Sequence, residues 1–256
     1  MIIGVCCPVT EAAEYARLGF DYFEPALAHV GALSASDWAD WLDAARQAGL
    51  PALVMNIMLP GHFRLTGPAA DHGAALDWLD AAFARAARAG TRKIVFGSGG
   101  ARNRPEGTDL ATGLAQLTAF ARELAPLAAR HGLLIGLEAL RAAESNILTS
   151  QAEAAAFVRA VDSPAFGLTV DAFHMGQMSE PFSVLPELEA PIVHAHIASG
   201  ERHFPKAEDP DDYAAFITAL KRSGYDDSIS IEASDERPIA ERGVAALSLL
   251  RGLTAV

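Results

Sequence analysis

Lysine is almost missing from this 256-residue chain: only Lys93, Lys206 and Lys221 occur. Lys93 begins an apolar run, Lys221 lies in a helical stretch and Lys206 in a polar loop, so none is placed for Schiff-base chemistry at the end of a strand. Positive charge is short overall, with 20 Lys and Arg against 32 Asp and Glu and a net charge of −12. That balance opposes a phosphate backbone, which a nucleic-acid binder meets with a basic face. The two cysteines, Cys6 and Cys7, are adjacent, so no disulfide framework exists and a reducing compartment fits. No apolar run reaches the roughly 18 residues of a membrane span, and MIIGVCCPVT enters a strand with no basic leader. No glycine-rich dinucleotide fingerprint follows that first strand, which weakens a doubly wound sheet. The expectation is a cytoplasmic protein with no nucleic-acid or membrane partner.

Short β-rich runs alternate with alanine-rich segments of helical period, the pattern of a parallel sheet with crossover helices. Eight strands are expected, at Ile2–Cys6, Tyr22–Pro25, Ala52–Ile57, Lys93–Gly97, Leu133–Glu138, Gly167–Asp171, Ile192–His196 and Ser228–Glu232. Helical stretches lie near Thr10–Leu18, Ser36–Ala48, Asp71–Ala89, Leu110–His131, Ser150–Val161, Pro181–Leu188, Asp211–Ser223 and Pro238–Leu253. Ser36 and Ser150 suit N-caps and Pro238 a first turn. Gly19, Gly49, Gly90, Gly132 and Gly224 each follow a periodic segment, as C′ glycines do. The expected fold is α/β, a single (β/α)8 TIM barrel over residues 1–256, a length at which that fold is usual.

Four metal-ligating side chains sit where strands end: Glu138 in LLIGLEAL, Asp171 in FGLTVDAFH, His196 in IVHAHIAS and Glu232 in SISIEAS. A parallel barrel brings the carboxyl ends of its strands to one rim, so residues remote in sequence converge there. An unpaired carboxylate beside such apolar runs costs several kcal/mol or takes up a proton, which favours a shared cation. One such acid alone could equally cap a helix or pair with an arginine. Oxygen ligands with one imidazole suit Mn²⁺, Mg²⁺ or Co²⁺, with Zn²⁺ as the remaining option. Glu144, His174 and Arg202 follow these positions at short offsets, in loops that could reach over a ligand.

These residues resemble the xylose-isomerase-like TIM barrels, and within them the ketose 3-epimerases of the D-tagatose and D-psicose type. The resemblance implies one divalent ion on Glu138, Asp171, His196 and Glu232, and substrate contacts from Glu144, His174 and Arg202. It also implies Glu138 and Glu232 as the acid/base pair: one takes a proton from carbon on one face, the other returns it on the opposite face, through an enediolate. The implied substrate is a small unphosphorylated sugar or keto acid, and a homodimer is left open. MNIMLPGHFRLTG after strand three is similar to the hydroxypyruvate isomerases. A hydroxypyruvate-type isomerase, or a metal-dependent lyase of the inosose or dehydroshikimate dehydratase type, is therefore the alternative.

Other polar residues have more than one reading. His194 should share the face of His196 one layer deeper, where a core hydrogen bond is favoured over ligation. Glu24 ends a strand in YFEPAL and suits either a substrate hydroxyl or a salt bridge. GSGGAR at Gly97–Arg102 reads as a tight turn rather than a phosphate cradle, with Arg102 or Arg104 open to a carboxylate or distal hydroxyl. Cys6 and Cys7 read as small fillers unless one faces the substrate, and Trp38, Trp41 and Trp78 as packing.

Overall fold

A computed structural model describes residues 1–255. Eight parallel strands form one sheet: β1 Ile2–Cys6, β2 Tyr22–Glu24, β3 Val54–Met55, β4 Lys93–Phe96, β5 Leu134–Glu138, β6 Phe166–Asp171, β7 Ile192–Ile197 and β8 Ser228–Ile231. Their order is β2-β1-β8-β7-β6-β5-β4-β3, and the two ends meet through a parallel bridge between Ala26 and Asn56. This is a (β/α)8 barrel. The helices are α1 Val9–Leu18, α2 Leu27–Ala32, α3 Ala35–Gln47, α4 His72–Ala89, α5 Gly99–Arg102, α6 Leu110–Arg130, α7 Gln151–Val161, α8 Ala172–Gln177, α9 Tyr213–Arg222 and α10 Ile239–Thr254.

The long helices start and stop where the local chemistry dictates. Asp71, Asp109, Ser150 and Asp212 each accept a backbone N–H at the N-cap of α4, α6, α7 and α9, which satisfies one of the orphan donors there. The five expected C′ glycines all have positive φ. One cap was misplaced: Ser34, not Ser36, accepts from Asp37 N at the start of α3. The segment Pro181–Leu188 forms a 3-10 turn over Phe182–Glu187 rather than an α-helix, because Pro186 lacks a donor inside it. Strand three is shorter than Ala52–Ile57, since Asn56 leaves the ladder to close the ring and Ile57 turns to φ 44°. The short helices α2, α5 and α8 were not expected.

No described helix is long and apolar enough to cross a membrane. Trp38 and Trp41 stack at 5.4 Å between ring centres, and the Trp78 ring fills the space beside Gly31, so all three tryptophans pack. The barrel interior is partly polar: Tyr22, Glu24, Thr169, His194, Ser228 and Ser230 are buried within it. Gly4 makes room for one of them, because a Cβ there would lie 2.2 Å from the Tyr22 ring.

Candidate metal and sugar site

Parallel register places the strand-end residues at one level. Asp171 is paired with His196 across β6 and β7, and His196 with Ser230 across β7 and β8. Glu138 ends β5 and Glu232 follows β8 directly. Carboxylate oxygens of Glu138, Asp171 and Glu232 and a ring nitrogen of His174 lie within 4.8 Å of one another. His196 meets the same carboxylates from the side: Nδ1 is 3.0 Å from Glu138 Oε1 and 3.7 Å from Glu232 Oε2. The strand-end side chains thus meet at one rim, where His174, expected as a substrate contact, is grouped with the three acids and His196 lies against two of them.

Two atoms of this cluster are buried without a partner, Asp171 Oδ2 and His174 Nε2, 3.6 Å apart. The other Asp171 oxygen accepts the N–H of Phe173 at 2.7 Å, capping α8. An orphaned carboxylate oxygen facing two further acids is what a hard divalent cation completes; the His174 ring, whose Nδ1 accepts the Arg141 N–H at 3.3 Å, turns its Nε2–H toward that oxygen. The donor set therefore fits Mn²⁺, Mg²⁺ or Co²⁺.

The ion-free electrostatics carry the same mark. Burial and the nearby Glu138 push Asp171 up to about 7. Glu232 is also pushed up to about 7 by burial, with Glu138 and Asp171 adding to it against His196 and Arg202. Burial raises Glu138 too, but its hydrogen bond and attraction to His196 outweigh that and hold it below the usual range. Burial lowers His174. For His196, burial is outweighed by Glu24 and Glu232, and the ring is held well above its ordinary value.

The open side of the cluster is a cleft of about 660 Å³ whose wall includes Cys6, Glu24, Asn56, Arg141, Arg202 and Glu232. Arg202 crosses it: Nη1 donates to Glu144 Oε1 at 3.0 Å and Nη2 to Glu232 Oε2 at 2.7 Å. Beyond Arg202 a second space of about 270 Å³ reaches Glu138, Glu144 and His174. Arg202 therefore borders both spaces, and Glu144 and His174 border the second. Sequence reading missed Arg141, whose Nε donates to the same Glu144 oxygen at 2.7 Å; both guanidinium groups lie within 5 Å of the Phe173 ring centre. It also missed Asn56, whose Nδ2 is 3.3 Å from Glu232 Oε1. Arg141 stands three residues before Glu144, a helical-turn spacing that could have flagged it.

Other residues resolve as structural. Arg102 is fully buried and donates to the carbonyls of Phe96, Glu138 and Leu148, while Arg104 serves those of Asn146 and Thr108. Neither is free for a substrate, which corrects that expectation. The glycine-rich turn exists for close approach: a Cβ on Gly97 would lie 2.5 Å from Glu138 Oε2. Cys6 borders the cleft and Cys7 is buried; burial pushes the Cys6 thiol well up, so it stays protonated.

Residues 12–252 match the sequence profile of the xylose isomerase-like TIM barrels. The chain is 27% identical over 146 residues to a ketose 3-epimerase of Arthrobacter globiformis, covering 57% of this chain and 50% of that protein. It is 28% identical over 139 residues to an L-ribulose 3-epimerase of Mesorhizobium japonicum, covering 54% and 46% respectively. The chain thus spans about half the length of the curated relatives it matches. A crystal structure of D-psicose 3-epimerase with D-fructose superposes over 100% of both chains, with a TM-score of 0.88 at 20% identity.

Proposed function

From the premise that this chain belongs to the xylose isomerase-like TIM-barrel family, we propose that it is a divalent-metal-dependent isomerase or epimerase of a small unphosphorylated ketose. The observation that carries this reading is the convergence of Glu138, Asp171 and Glu232 on one point, with a buried Asp171 oxygen left without a partner. Glu138, Asp171, His196 and Glu232 would hold the ion, with His174 close enough to join them. A bound Mn²⁺, Mg²⁺ or Co²⁺ would polarise the ketose carbonyl and stabilise the negative charge that forms when the neighbouring C–H is lost.

The chain's own residues supply the proton handling. In either direction one of Glu138 and Glu232 would start ionised, to accept the proton, and the other protonated, to return it. Acting from two sides of a substrate carbon, they would invert it; one of them working alone between adjacent carbons would interconvert aldose and ketose. Arg202 and Glu144, already joined, would orient hydroxyls over the cluster, and Glu232, which borders the cleft, can exchange its proton with solvent between turnovers. That three named proteins resembling this chain, in sequence or in fold, are 3-epimerases of ketoses favours the ketose substrate.

The deciding experiment incubates Mn²⁺-loaded protein with ketoses and keto acids in D₂O and follows C–H exchange by NMR. Deuterium at the carbon beside the carbonyl of a ketose is expected. Exchange with loss of a β-hydroxyl would make it a lyase, and no exchange with any ketose would end the epimerase reading.

A further inference from the structure

Glu24 is a carboxylate buried at the edge of the cleft, and its ion-pair partners are two histidines rather than a lysine or arginine, a placement with little to recommend it for stability. Its surroundings explain it. Glu24 Oε1 accepts from His196 Nε2 at 2.9 Å, and Oε2 accepts from His194 Nε2 at 3.0 Å and from Ser230 Oγ at 2.5 Å. Behind these, the Tyr22 hydroxyl meets Ser230 Oγ at 2.8 Å, and Ser228 Oγ meets His194 Nδ1 at 2.9 Å. Lys93 Nζ donates to Ser228 Oγ at 2.8 Å and to Asp227 at 2.6 Å.

The direction of every bond in this chain is fixed by its ends. An ammonium only donates and an ionised carboxylate only accepts. Lys93 therefore donates to Ser228, Ser228 to His194, and His194 and Ser230 to Glu24. The remaining Glu24 oxygen can only receive a proton from His196 Nε2. With Nε2 committed to carrying hydrogen, the nitrogen of His196 that faces Glu138 and Glu232 is Nδ1; without an ion it too donates, to Glu138 Oε1 at 3.0 Å, and that is the hydrogen a bound cation would displace.

The geometry points to Glu24 as the positioning residue of the site: its carboxylate selects the Nε2–H form of His196 and locks the ring so that the Nδ1 lone pair is presented to the cation. This rests on the reading of His196 as a ligand. An outer carboxylate of this kind raises the basicity of a ligating imidazole and fixes its plane, and losing one typically costs 10- to 100-fold in metal affinity. Glutamine cannot substitute. Its NH₂ must face either His196 Nε2–H or the His194 and Ser230 donors, and both orientations set donor against donor.

The test is calorimetric titration of Mn²⁺ into ion-free wild type, Glu24→Gln, Ser230→Ala and His196→Ala, with circular dichroism to establish folding. The His196 ring form is read by long-range ¹H–¹⁵N NMR of the Mg²⁺-loaded protein. Expected are a dissociation constant raised 10- to 100-fold in Glu24→Gln, a several-fold rise in Ser230→Ala, and an Nε2–H signature for His196 in wild type that is lost in Glu24→Gln. If Glu24→Gln does not fold, Ser230→Ala, which removes one donor and keeps the carboxylate, decides. Folded variants that bind Mn²⁺ as wild type does, or a wild-type His196 carrying its proton on Nδ1, would overturn the inference. If His196→Ala binds as wild type does, His196 is not a ligand, and the reading beneath the inference fails with it.

Discussion

Replacing Asp171 by asparagine should make the ion-free protein more stable and remove most of the stability that wild type gains from the ion. The amide keeps the cap on α8, because its oxygen can take the Phe173 N–H that Asp171 Oδ1 accepts at 2.7 Å, and Asn caps as well as Asp. Its NH₂ replaces the orphaned Oδ2 and can donate to the neighbouring acids. What disappears is a charge. Burial and Glu138 move Asp171 from 3.8 to about 7 in the folded chain. Between those values the folded state holds a proton that the unfolded state has lost, so stability is full below about pH 3.8, falls as pH rises, and is lowest above about 7. At roughly 1.4 kcal/mol per pH unit the ceiling is about 4 kcal/mol, and sharing protons with Glu138 and Glu232 brings the expected gain to about 2–4 kcal/mol. Urea unfolding in EDTA at pH 8 should therefore show Asp171→Asn above wild type by that amount, with the gap closing toward pH 4. With Mn²⁺ at about 100 times its dissociation constant, wild type should gain about 2.7 kcal/mol and the variant almost none. A variant that is less stable than wild type in EDTA at pH 8, or that gains equally from Mn²⁺, would refute the clustered-acid reasoning.

Glu232→Gln should slow hydrogen exchange at the substrate carbon by about 10²- to 10⁴-fold, more if metal is also lost, and an unchanged NMR exchange rate would take Glu232 out of proton transfer. Arg202→Ala should keep its metal by elemental analysis while weakening ketose binding by about 1–3 kcal/mol, since it touches Glu144 and Glu232 from the cleft side. The same pair of measurements on His174→Ala separates substrate contact from ligation: metal content near wild type supports the former, and stoichiometric loss the latter. Gly97→Ala should displace Glu138, because the new Cβ would lie 2.5 Å from Oε2; a fall in Mn²⁺ affinity with an unchanged fold by circular dichroism is expected, and wild-type affinity would show that the carboxylate has room to move.

The rim was legible because a charge that ends a β-rich run leaves a mark in one dimension, and Glu138, Asp171, His196 and Glu232 each stand at such an end. C′ glycines were legible for the same reason, since only the local backbone decides them. The role of Glu24 was not, although its position at a strand end was noticed. Its partners His194 and Ser230 lie 170 and 206 residues away, and only closure of the ring brings them together. Arg141 and Phe173 escaped because stacking between a loop and a short helix has no period. The helices α2, α5 and α8 are six, four and six residues long, too short to display an amphipathic repeat. Arg102 misled in the opposite direction: an arginine in a glycine-rich loop looks available, whereas its buried guanidinium ties three carbonyls together.

The ring of strands is not equally strong all the way round. Seven of its joints are ladders, while β2 and β3 meet at a single bridge between Ala26 and Asn56, made by the bonds from Asn56 to Pro25 and from Leu27 to Asn56 and flanked by those from Phe23 to Pro51 and from Ala28 to Ile57. Local opening costs least where the fewest bonds must break together, and the residues flanking this joint are Glu24 on one side and Asn56 on the other. A breathing motion there would separate the anchor of His196 from the amide that steadies Glu232. The one joint of the barrel without a ladder is thus set beside its chemistry, and any stiffening of that joint, by mutation or by a ligand spanning it, would tighten the site without touching a residue that holds the metal.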